Sequence, residues 1–490
     1  MNTPSDLYER PQLYVGGRWV DSQGGHAVTV KNPATQERVG KAVLASPADV
    51  DRAVAGARRS FDDGRWRGLP AADRAAVMRD AADRLEKRAP GIAVMLTSEL
   101  GCPLWFSERA HVPNPIRHTR YYADLAESRE SDDLRTDAAG SRSLVTEEPV
   151  GVVAAITPWN GPLSGPSLKL APALAAGCSV ILKPPPETPL TAYAFADAFS
   201  EAGLPEGVLS ILPADREVGQ HLVDHPDVDK IAFTGSTMAG KVIMASAAAR
   251  VARVTLELGG KSAAILLEDA DPANVVDSLL PMALTVNGQL CIAQTRVLVP
   301  RSRQTDFVDA LVDAMRKQRI GDPMAADTTI GPLISERQYE RVTGYVQLAR
   351  TEGARIATGL EPLALPSELA DGWFVPPTLL ADVDNSMRVA REEIFGPVMA
   401  VIPYDDEEQA VAIANDSPYG LSGSVWSPDT DRAVALARRV RTGMVSINGA
   451  PQAYGSPFGG FKQSGIGREM GPEGYRNYVE IKSIALGSAG

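Results

Sequence analysis

The chain has 490 residues, more than one hydrophobic core usually organises, so two or three domains are predicted. Hydrophobic residues make up 44% and charged residues 22%, the composition of an ordinary water-soluble globular protein. The formal net charge of −12 gives the chain no electrostatic reason to bind nucleic acid or an anionic membrane, so neither partner is expected.

The start of the chain and its cysteines bear on location. Residues 1–18 are polar and interrupted by prolines, unlike a signal peptide, and the most apolar stretch, residues 170–182, is too short to span a bilayer. The three cysteines, Cys102, Cys178 and Cys291, argue against a disulfide framework and for a reducing compartment. The histidines and cysteines show no metal-binding spacing. We therefore predict a cytoplasmic protein without a metal site.

The predicted elements begin with a hairpin and two helices. Leu13–Val15 and Arg18–Val20 flank Gly16-Gly17, a signal for a two-residue turn. Ser46 before Pro47 has the pattern of an N-cap followed by the first helical position. A second, charge-rich helix is predicted at Ala71–Lys87.

From residue 150 onward, apolar strand patterns alternate with helical patterns. The first set has strands at 150–156, 179–182, 208–212, 230–233 and 251–256, with helices at 166–176 and 192–202. The second set has strands at 262–267, 296–299, 398–404, 424–426 and 444–447. Strands separated by helices predict parallel, doubly wound sheets. The predicted fold class is therefore α/β with two such domains, which meet in a cleft near residues 258–260.

A candidate nucleophile follows this junction. Cys291 ends the segment Asn287-Gly288-Gln289-Leu290-Cys291, a glycine-bearing turn between a helix and a strand. Backbone amides in such a turn can lower the pKa of a thiol and make it nucleophilic. A cysteine in an apolar stretch is more often a small buried hydrophobe, and Cys102 and Cys178 fit that reading.

Two further polar residues suit the same chemistry. Glu257 follows the predicted strand 251–256 and precedes two glycines that let a ligand approach the backbone. A glutamate at a strand end is most often solvated, but here it can activate water. Asn160 follows Pro158 and Trp159, where an asparagine commonly shapes a turn, yet its amide can also donate hydrogen bonds to an oxyanion.

Residues 235–241 match most of a phosphate-binding loop. They have the pattern GxxxxGK, but Val242 follows where a P-loop needs Ser or Thr to bind magnesium. A glycine turn that leads into a helix N-terminus can still bind a phosphate. A P-loop nucleotide hydrolase is therefore one alternative function, and Val242 argues against it.

Cys291, Glu257 and Asn160 in their segments resemble the aldehyde dehydrogenase superfamily, and the resemblance extends from about residue 13 to about residue 482. It implies that Cys291 is the nucleophile, that Glu257 is the base that deacylates a thioester to a carboxylic acid, and that Asn160 is an oxyanion donor. Glu469 and Lys169 are each candidates for a proton relay, with a structural role for either as an equal alternative. A non-catalytic relative is a second alternative, which the intact trio of residues disfavours.

The resemblance also implies a Rossmann-like domain that binds a dinucleotide. The family glutamate that follows the matched Lys183 falls on Pro186, and Glu187 comes one place late, so we predict NAD and leave NADP open. The predicted cofactor contacts are Ile156, Trp159, Lys183, Glu187, Phe233, Gly235, Ser236, Leu258, Gln338, Glu393 and Phe395.

The resemblance places the tunnel for a small-molecule aldehyde beside the helix after Asn160. Family members often carry large side chains at positions that are Gly161, Ser164, Gly165 and Leu168 here, and the spacing of these four puts them on one helical face. We therefore predict a wide tunnel for a bulky apolar aldehyde, aromatic or terpenoid, with close helix packing as an equal alternative. The predicted tunnel residues are these four with Leu290, Ile292 and Phe458.

The resemblance further divides the chain. Residues 1–126 and 150–258 are predicted to form the dinucleotide-binding domain, residues 259–465 the catalytic domain, and residues 127–149 and 466–490 a small β oligomerisation arm with the C-terminal strand. Exposed strands at 141–147 and 478–484 would pair with a second chain, so a homodimer or homotetramer is expected. Residues 487–490 are predicted to be a disordered tail.

Overall fold

A computed structural model of the protein describes residues 8–129 and 132–486, so the predicted tail at 487–490 lies outside the described residues. The strands are β1 (Tyr8–Arg10), β2 (Leu13–Val15), β3 (Arg18–Val20), β4 (His26–Lys31), β5 (Arg38–Leu44), β6 (Asp132–Thr136), β7 (Arg142–Pro149), β8 (Val152–Ile156), β9 (Ser179–Lys183), β10 (Leu209–Ile211), β11 (Lys230–Thr234), β12 (Arg253–Glu257), β13 (Ala263–Leu266), β14 (Arg296–Pro300), β15 (Arg355–Thr358), β16 (Thr378–Ala381), β17 (Val398–Tyr404), β18 (Gly423–Trp426), β19 (Ser446–Ile447), β20 (Gly465–Ile466) and β21 (Val479–Leu486).

The α-helices are α1 (Pro47–Asp62), α2 (Ala71–Lys87), α3 (Ala89–Leu100), α4 (Leu104–Phe106), α5 (Pro113–Ser128), α6 (Ser164–Ala176), α7 (Tyr193–Glu201), α8 (Arg216–Asp224), α9 (Thr237–Ala248), α10 (Pro272–Leu284), α11 (Gln304–Arg316), α12 (Glu336–Thr351), α13 (Arg388–Arg391), α14 (Glu407–Asn415), α15 (Thr430–Ala437) and α16 (Gly471–Arg476). Among the described residues, no helix is long and apolar enough to cross a membrane.

Two mostly parallel sheets form the framework. The 8-stranded sheet has the order β20-β12-β11-β8-β9-β10-β2-β3, and its strands from β12 to β10 are parallel. The 7-stranded sheet has the order β15-β16-β17-β14-β13-β18-β19, with β15 antiparallel at its edge. A smaller sheet of β1, β5 and β4 lies near the N-terminus.

Both large sheets are covered on both faces. In β8, Val153 and Ala155 join one hydrophobic core while the alternate residues join another. In β13, Ile265 and Leu266 likewise face different cores. Strands buried on both faces are continuous apolar runs, which is why the sequence marks them clearly. The predicted α/β fold with two doubly wound sheets is confirmed.

The local signals at the N-terminal end of the chain act as predicted. β2 and β3 pair antiparallel across Gly16-Gly17, and Ser46 caps α1 in a reciprocal capping box with Asp49. The strand predicted at 251–256 instead begins at Arg253. Val251 has a φ of 57° and its N–H bonds to the Ala248 carbonyl, so it belongs to the turn that closes α9.

The third sheet, β21-β7-β6, is antiparallel and projects apolar side chains to the surface. β21 pairs with β7 from Val479 opposite Pro149 to Leu486 opposite Arg142. Ile481 is 74% exposed on this sheet. The strands predicted at 141–147 and 478–484 therefore form here, slightly shifted, and pair with each other. The domain boundaries themselves stay a prediction.

Candidate active site

One cleft follows the carboxyl ends of β8, β9 and β11 and continues between the two large sheets to Cys291. Its two parts, of about 370 and about 360 Å³, share residues from the turns after β8 and β11. Ligands of open α/β sheets bind at this edge. All the residues predicted to contact the cofactor line one part or the other: Ile156, Trp159, Lys183, Glu187, Phe233, Gly235, Ser236, Leu258, Gln338, Glu393 and Phe395.

At the end of β9, Lys183 anchors the part of the cleft farther from Cys291. Its Nζ donates to the Ala214 carbonyl at 2.8 Å, and burial lowers its pKa to about 8 against the opposing effects of Glu187 and Asp215. Asp215 caps α8 by accepting from the Val218 N–H at 2.9 Å.

The same part of the cleft contains lining residues that the sequence analysis missed. Asp215 and Arg216 line it together with Lys183 and Pro186, and Arg216 is exposed. An aspartate N-cap after a parallel strand is the signal that could have identified them, because it places a helix start at the ligand edge of the sheet.

The turn after β11 delivers the N-terminus of α9 to the cleft. Ser236 caps this helix by accepting from the Ala239 N–H at 3.3 Å. A Cβ on Gly235 would lie 2.5 Å from the Phe233 ring, so a larger residue there would have to displace that ring. The Gly235 N–H donates to the Glu257 carbonyl at 3.0 Å, which ties the turn to the end of β12. A helix N-terminus in this position suits a phosphate group.

The opposite wall comes from the second sheet and α12. Glu393 accepts from the Gly260 N–H at 2.9 Å, and burial raises the pKa of Glu393 to about 7. Phe395 has a φ of 67°, which is rare for an aromatic residue, and its ring meets the Trp159 ring edge-on at 5.4 Å. Gln338 donates to the Phe395 carbonyl at 2.6 Å and so supports this unusual backbone.

Arg341 is a further cleft-lining residue that the sequence analysis missed. Its Nε donates to the Ile394 carbonyl at 3.1 Å, next to the carbonyl that Gln338 holds. Arg341 follows Gln338 by one helical turn of α12, and this spacing is the signal that could have found it.

Cys291 lies in the irregular segment between α10 and β14 and is partly exposed to the cleft. Burial raises the pKa of its thiol to about 12, and the carboxyl groups of Glu393 and Glu257 add to the rise. The Cys291 backbone N–H acts in the opposite direction but is outweighed. The expectation of a thiol acidified by backbone amides is therefore wrong.

Glu257 ends β12 in a buried position that is 2% exposed. Within the described residues, neither of its carboxyl oxygens has a hydrogen-bond partner. Burial and the neighbouring Glu469 raise its pKa well above the ordinary value, while Lys169 and Arg468 oppose the rise. The Lys169 Nζ lies 2.6 Å from the Glu469 Oε1, so these two residues form a buried ion pair close to Glu257.

Asn160 is buried, and its hydrogen-bond partner lies in the segment that leads to Cys291. Its Nδ2 donates to the Gln289 carbonyl at 2.8 Å. A side-chain amide carries two N–H donors, so this bond leaves the second for a ligand. Asn160 and Cys291 line the same part of the cleft.

Four of the predicted tunnel residues lie together at and just before the start of α6, beyond Asn160. Helix α6 begins at Ser164, so Gly161 precedes the helix rather than lying in it, although the Gly165 N–H donates to the Gly161 carbonyl at 2.8 Å. Between residues 161 and 170, the partly exposed positions are Gly161, Ser164, Gly165 and Leu168, and the remaining six positions are buried. Leu290, Ile292 and Phe458 are also partly exposed.

Known proteins resemble this chain over nearly its whole length. The profile of the aldehyde dehydrogenase family matches residues 19–484. The geranial dehydrogenase of Castellaniella defragrans is 45% identical over 98% of this chain and 99% of that protein. The chain therefore belongs to the aldehyde dehydrogenase family.

Solved structures agree with this assignment. The crystal structure of a Mycobacterium tuberculosis aldehyde dehydrogenase complexed with NAD+ has a TM-score of 0.96 and 45% identity, and the match covers 99% of both chains. An aldehyde dehydrogenase of Pseudomonas syringae, complexed with NAD+ and octanal, has a TM-score of 0.92 and 39% identity over 96% of both chains. The predicted oxidoreductase class is confirmed, and the P-loop hydrolase alternative is wrong.

Proposed function

We propose that the protein oxidises an aldehyde to its carboxylic acid through a thioester on Cys291, with NAD+ as hydride acceptor. The observation that carries the proposal is that Cys291 and Asn160 line the same cleft as all the predicted cofactor contacts. Glu257, with its unpaired carboxyl group, ends β12 directly before the cleft-lining residue Leu258, although it does not itself line the cleft.

The residues of the cleft fit a dinucleotide. Lys183 and Glu187 would hold the adenosine ribose, the N-terminus of α9 the pyrophosphate, and Glu393 the nicotinamide ribose, with Phe395 beside the ring. The side-chain-free turn at Gly235 gives the backbone room to approach a phosphate. NAD+ supplies the ring that accepts a hydride. The NAD+ complex of the M. tuberculosis relative supports this assignment.

The protein groups act in sequence on the substrate. The Cys291 thiol gives up its proton to solvent and its sulfur adds to the aldehyde carbon, while the second N–H of Asn160 and the Cys291 backbone N–H donate to the resulting oxyanion. Loss of hydride from that carbon leaves a thioester. Glu257 then takes a proton from water, the hydroxide displaces the sulfur, and the carboxylic acid departs with the cysteine regenerated.

For the substrate we propose a bulky apolar aldehyde, with a terpenoid as the favoured class. The face next to Asn160 carries two glycines, and a Cβ at Gly165 would meet only Thr157, at 3.8 Å. No charged residue occupies the four positions of that face. The names of two relatives, one for geranial and one complexed with octanal, support an apolar substrate.

The decisive experiment measures NADH formation with citral, octanal, benzaldehyde, acetaldehyde and succinic semialdehyde. We expect kcat/KM for citral or octanal to exceed that for acetaldehyde by at least about tenfold, because a missing apolar contact of a few carbons is worth that much. No NADH with any aldehyde would overturn the oxidation itself. A preference for acetaldehyde or succinic semialdehyde would overturn only the substrate class.

We also propose a homodimer or homotetramer that uses the β21-β7-β6 sheet. Leu134, Ile481 and Ile484 are exposed on it, and β21 has one edge that no described strand covers. Static light scattering at micromolar concentration tests this, and a monomer would contradict it. A cytoplasmic location stays a prediction.

A further inference from the structure

The segment that leads to Cys291 contains a run of left-handed backbone. Val286 has φ 54°, Asn287 has φ 59° and Gly288 has φ 75°. Glycine adopts this conformation readily, asparagine sometimes, and a β-branched residue such as valine very rarely. Because three successive residues are held this way, other contacts must stabilise the turn.

The side chain of Asn287 supplies such contacts. Its Nδ2 donates to the Gly101 carbonyl at 3.0 Å and to the Pro332 carbonyl at 2.7 Å, and its Oδ1 accepts from the Gly331 N–H at 2.7 Å. Asn287 is 1% exposed. Its amide therefore fastens the turn to two separate segments, the end of α3 and the loop before α12.

The left-handed turn at residues 286–288 also fixes the groups of the reacting centre. The Gln289 N–H donates to the Val286 carbonyl at 3.0 Å, and the Gln289 side chain accepts from the Ile334 N–H at 3.1 Å. The Gln289 carbonyl then receives the Asn160 amide at 2.8 Å. The geometry of the turn thereby sets both the direction of the Asn160 amide and the start of the backbone that carries Cys291.

We propose that Asn287 is a positioning residue, which holds the left-handed turn so that the Cys291 sulfur and the Asn160 amide face one reacting carbon. The inference rests on the proposed roles of Cys291 and Asn160. Asn287 does not line either part of the described cleft, so it acts through these two residues rather than on a ligand.

The test compares N287G with N287D. N287G removes the steric cost of the positive φ but also all three hydrogen bonds, whereas N287D keeps the shape and the acceptor for Gly331 and places charge against two carbonyl oxygens. In both variants we expect the rate of Cys291 alkylation by iodoacetamide and the amplitude-corrected rate of the NADH burst to fall by about tenfold or more. KM for NAD+ should stay within about twofold, since the cofactor contacts lie elsewhere.

Asn448 provides a matched control. It also has a positive φ, of 52°. Its Nδ2 donates to the Ser427 carbonyl at 2.8 Å, and its Oδ1 accepts from the Ser427 N–H at 2.9 Å. N448G should lower Tm as N287G does but leave alkylation and the burst unchanged.

Wild-type alkylation and burst rates in N287G, with a Tm loss like that of N448G, would overturn the inference. If N287G is insoluble, N287S decides by the same measurements: it retains one hydroxyl, so an intermediate loss is expected and wild-type rates contradict the proposal. Activity retained in C291A would instead overturn the proposed function.

Discussion

The two ends of the cleft are built in opposite ways. At the end proposed for the cofactor, the lining comes from the ends of regular strands, and two of its polar groups are paired: Lys183 with the Ala214 carbonyl, and Ser236 with the first turn of α9. The buried Thr157 hydroxyl on the same lining has no partner within the described residues. At the proposed reaction end, Val286 and Asn287 have positive φ angles, and both carboxyl oxygens of Glu257 are unpaired within the described residues.

This difference reflects two tasks. A binding end needs a fixed shape, and satisfied hydrogen bonds on strand and helix ends provide it. A reacting end must keep groups available to meet atoms that change during the reaction, so unpaired polar atoms and strained backbone concentrate there. The comparison predicts that changes at the reaction end alter rates, whereas changes at the cofactor end alter selectivity.

The largest effect is expected for C291A. Without the sulfur there is no thioester, so kcat should fall by about 10⁴-fold or more. The Kd for NAD+, measured by fluorescence quenching, should change by less than about threefold because the cofactor end does not depend on the thiol. A large loss of NAD+ binding would show that the two ends are not separable.

E257Q should have the next largest effect on turnover. Hydride transfer should survive while deacylation slows by about 100-fold, so a burst of NADH precedes slow turnover in stopped-flow traces. Full steady-state activity in E257Q would remove Glu257 from the proposed role. E469Q serves as a comparison, because it keeps the Glu257 carboxyl and removes a charge that raises its pKa, so deacylation should stay faster than in E257Q.

The pH dependence of turnover is a second test of the proposed role of Glu257 as a base. Because burial and Glu469 raise the pKa of Glu257, its carboxyl holds a proton at pH values where an exposed glutamate has lost it. A base acts only when deprotonated, so steady-state kcat should rise with pH through this raised pKa. E257Q should lose that rise while keeping the rise in burst rate that comes from the Cys291 thiol. A wild-type kcat that does not rise with pH above the range in which an exposed glutamate titrates would contradict the assignment.

The cofactor end was largely predictable from sequence, and the reaction end was not. Away from the cleft, α2 and β17 match their predicted bounds because local apolar patterns determine them. Every residue predicted as a cofactor contact lines the cleft, and its role as a contact stays a prediction. The left-handed turn before Cys291 depends on Gly101 and Pro332, which are distant in the chain. No local pattern contains that information.

The electrostatics of the reaction end depended on distant residues as well. Glu469 and Arg468, more than 200 positions from Glu257 along the sequence, help to set the pKa of that carboxyl group. The prediction of a lowered pKa for the Cys291 thiol was wrong for a related reason. It considered the backbone amides of the turn but not the burial that folding imposes on Cys291. Burial of this kind is a property of the packed domains and cannot be read from one segment.

Gly165→Trp should lower kcat/KM more for a large aldehyde than for a small one. The added ring would point from the partly exposed face of α6, so kcat/KM for citral should fall by about tenfold while acetaldehyde is affected by less than about twofold. Gly344→Trp on the exposed face of α12 is the matched control, since a Cβ there meets nothing within 4 Å. Equal kcat/KM for citral in both variants would contradict a tunnel beside Gly165.

The smallest effect is expected at the cofactor end, where Pro186 replaces the family glutamate. A carboxylate there would repel the extra phosphate of NADP, so the wild type should prefer NAD over NADP by less than about 1,000-fold in kcat/KM, or about 4 kcal/mol. Pro186→Glu should raise that preference by about fivefold, the size of a partly exposed charge interaction.

Arg216→Ala should also raise the preference for NAD, because it removes an exposed cation that lines this part of the cleft and would attract the phosphate of NADP. Neither variant should change the NADH burst rate at saturating NAD+. A loss of burst rate would mean that the two ends of the cleft are coupled, and an unchanged NAD to NADP ratio in both variants would place the adenosine ribose away from Lys183.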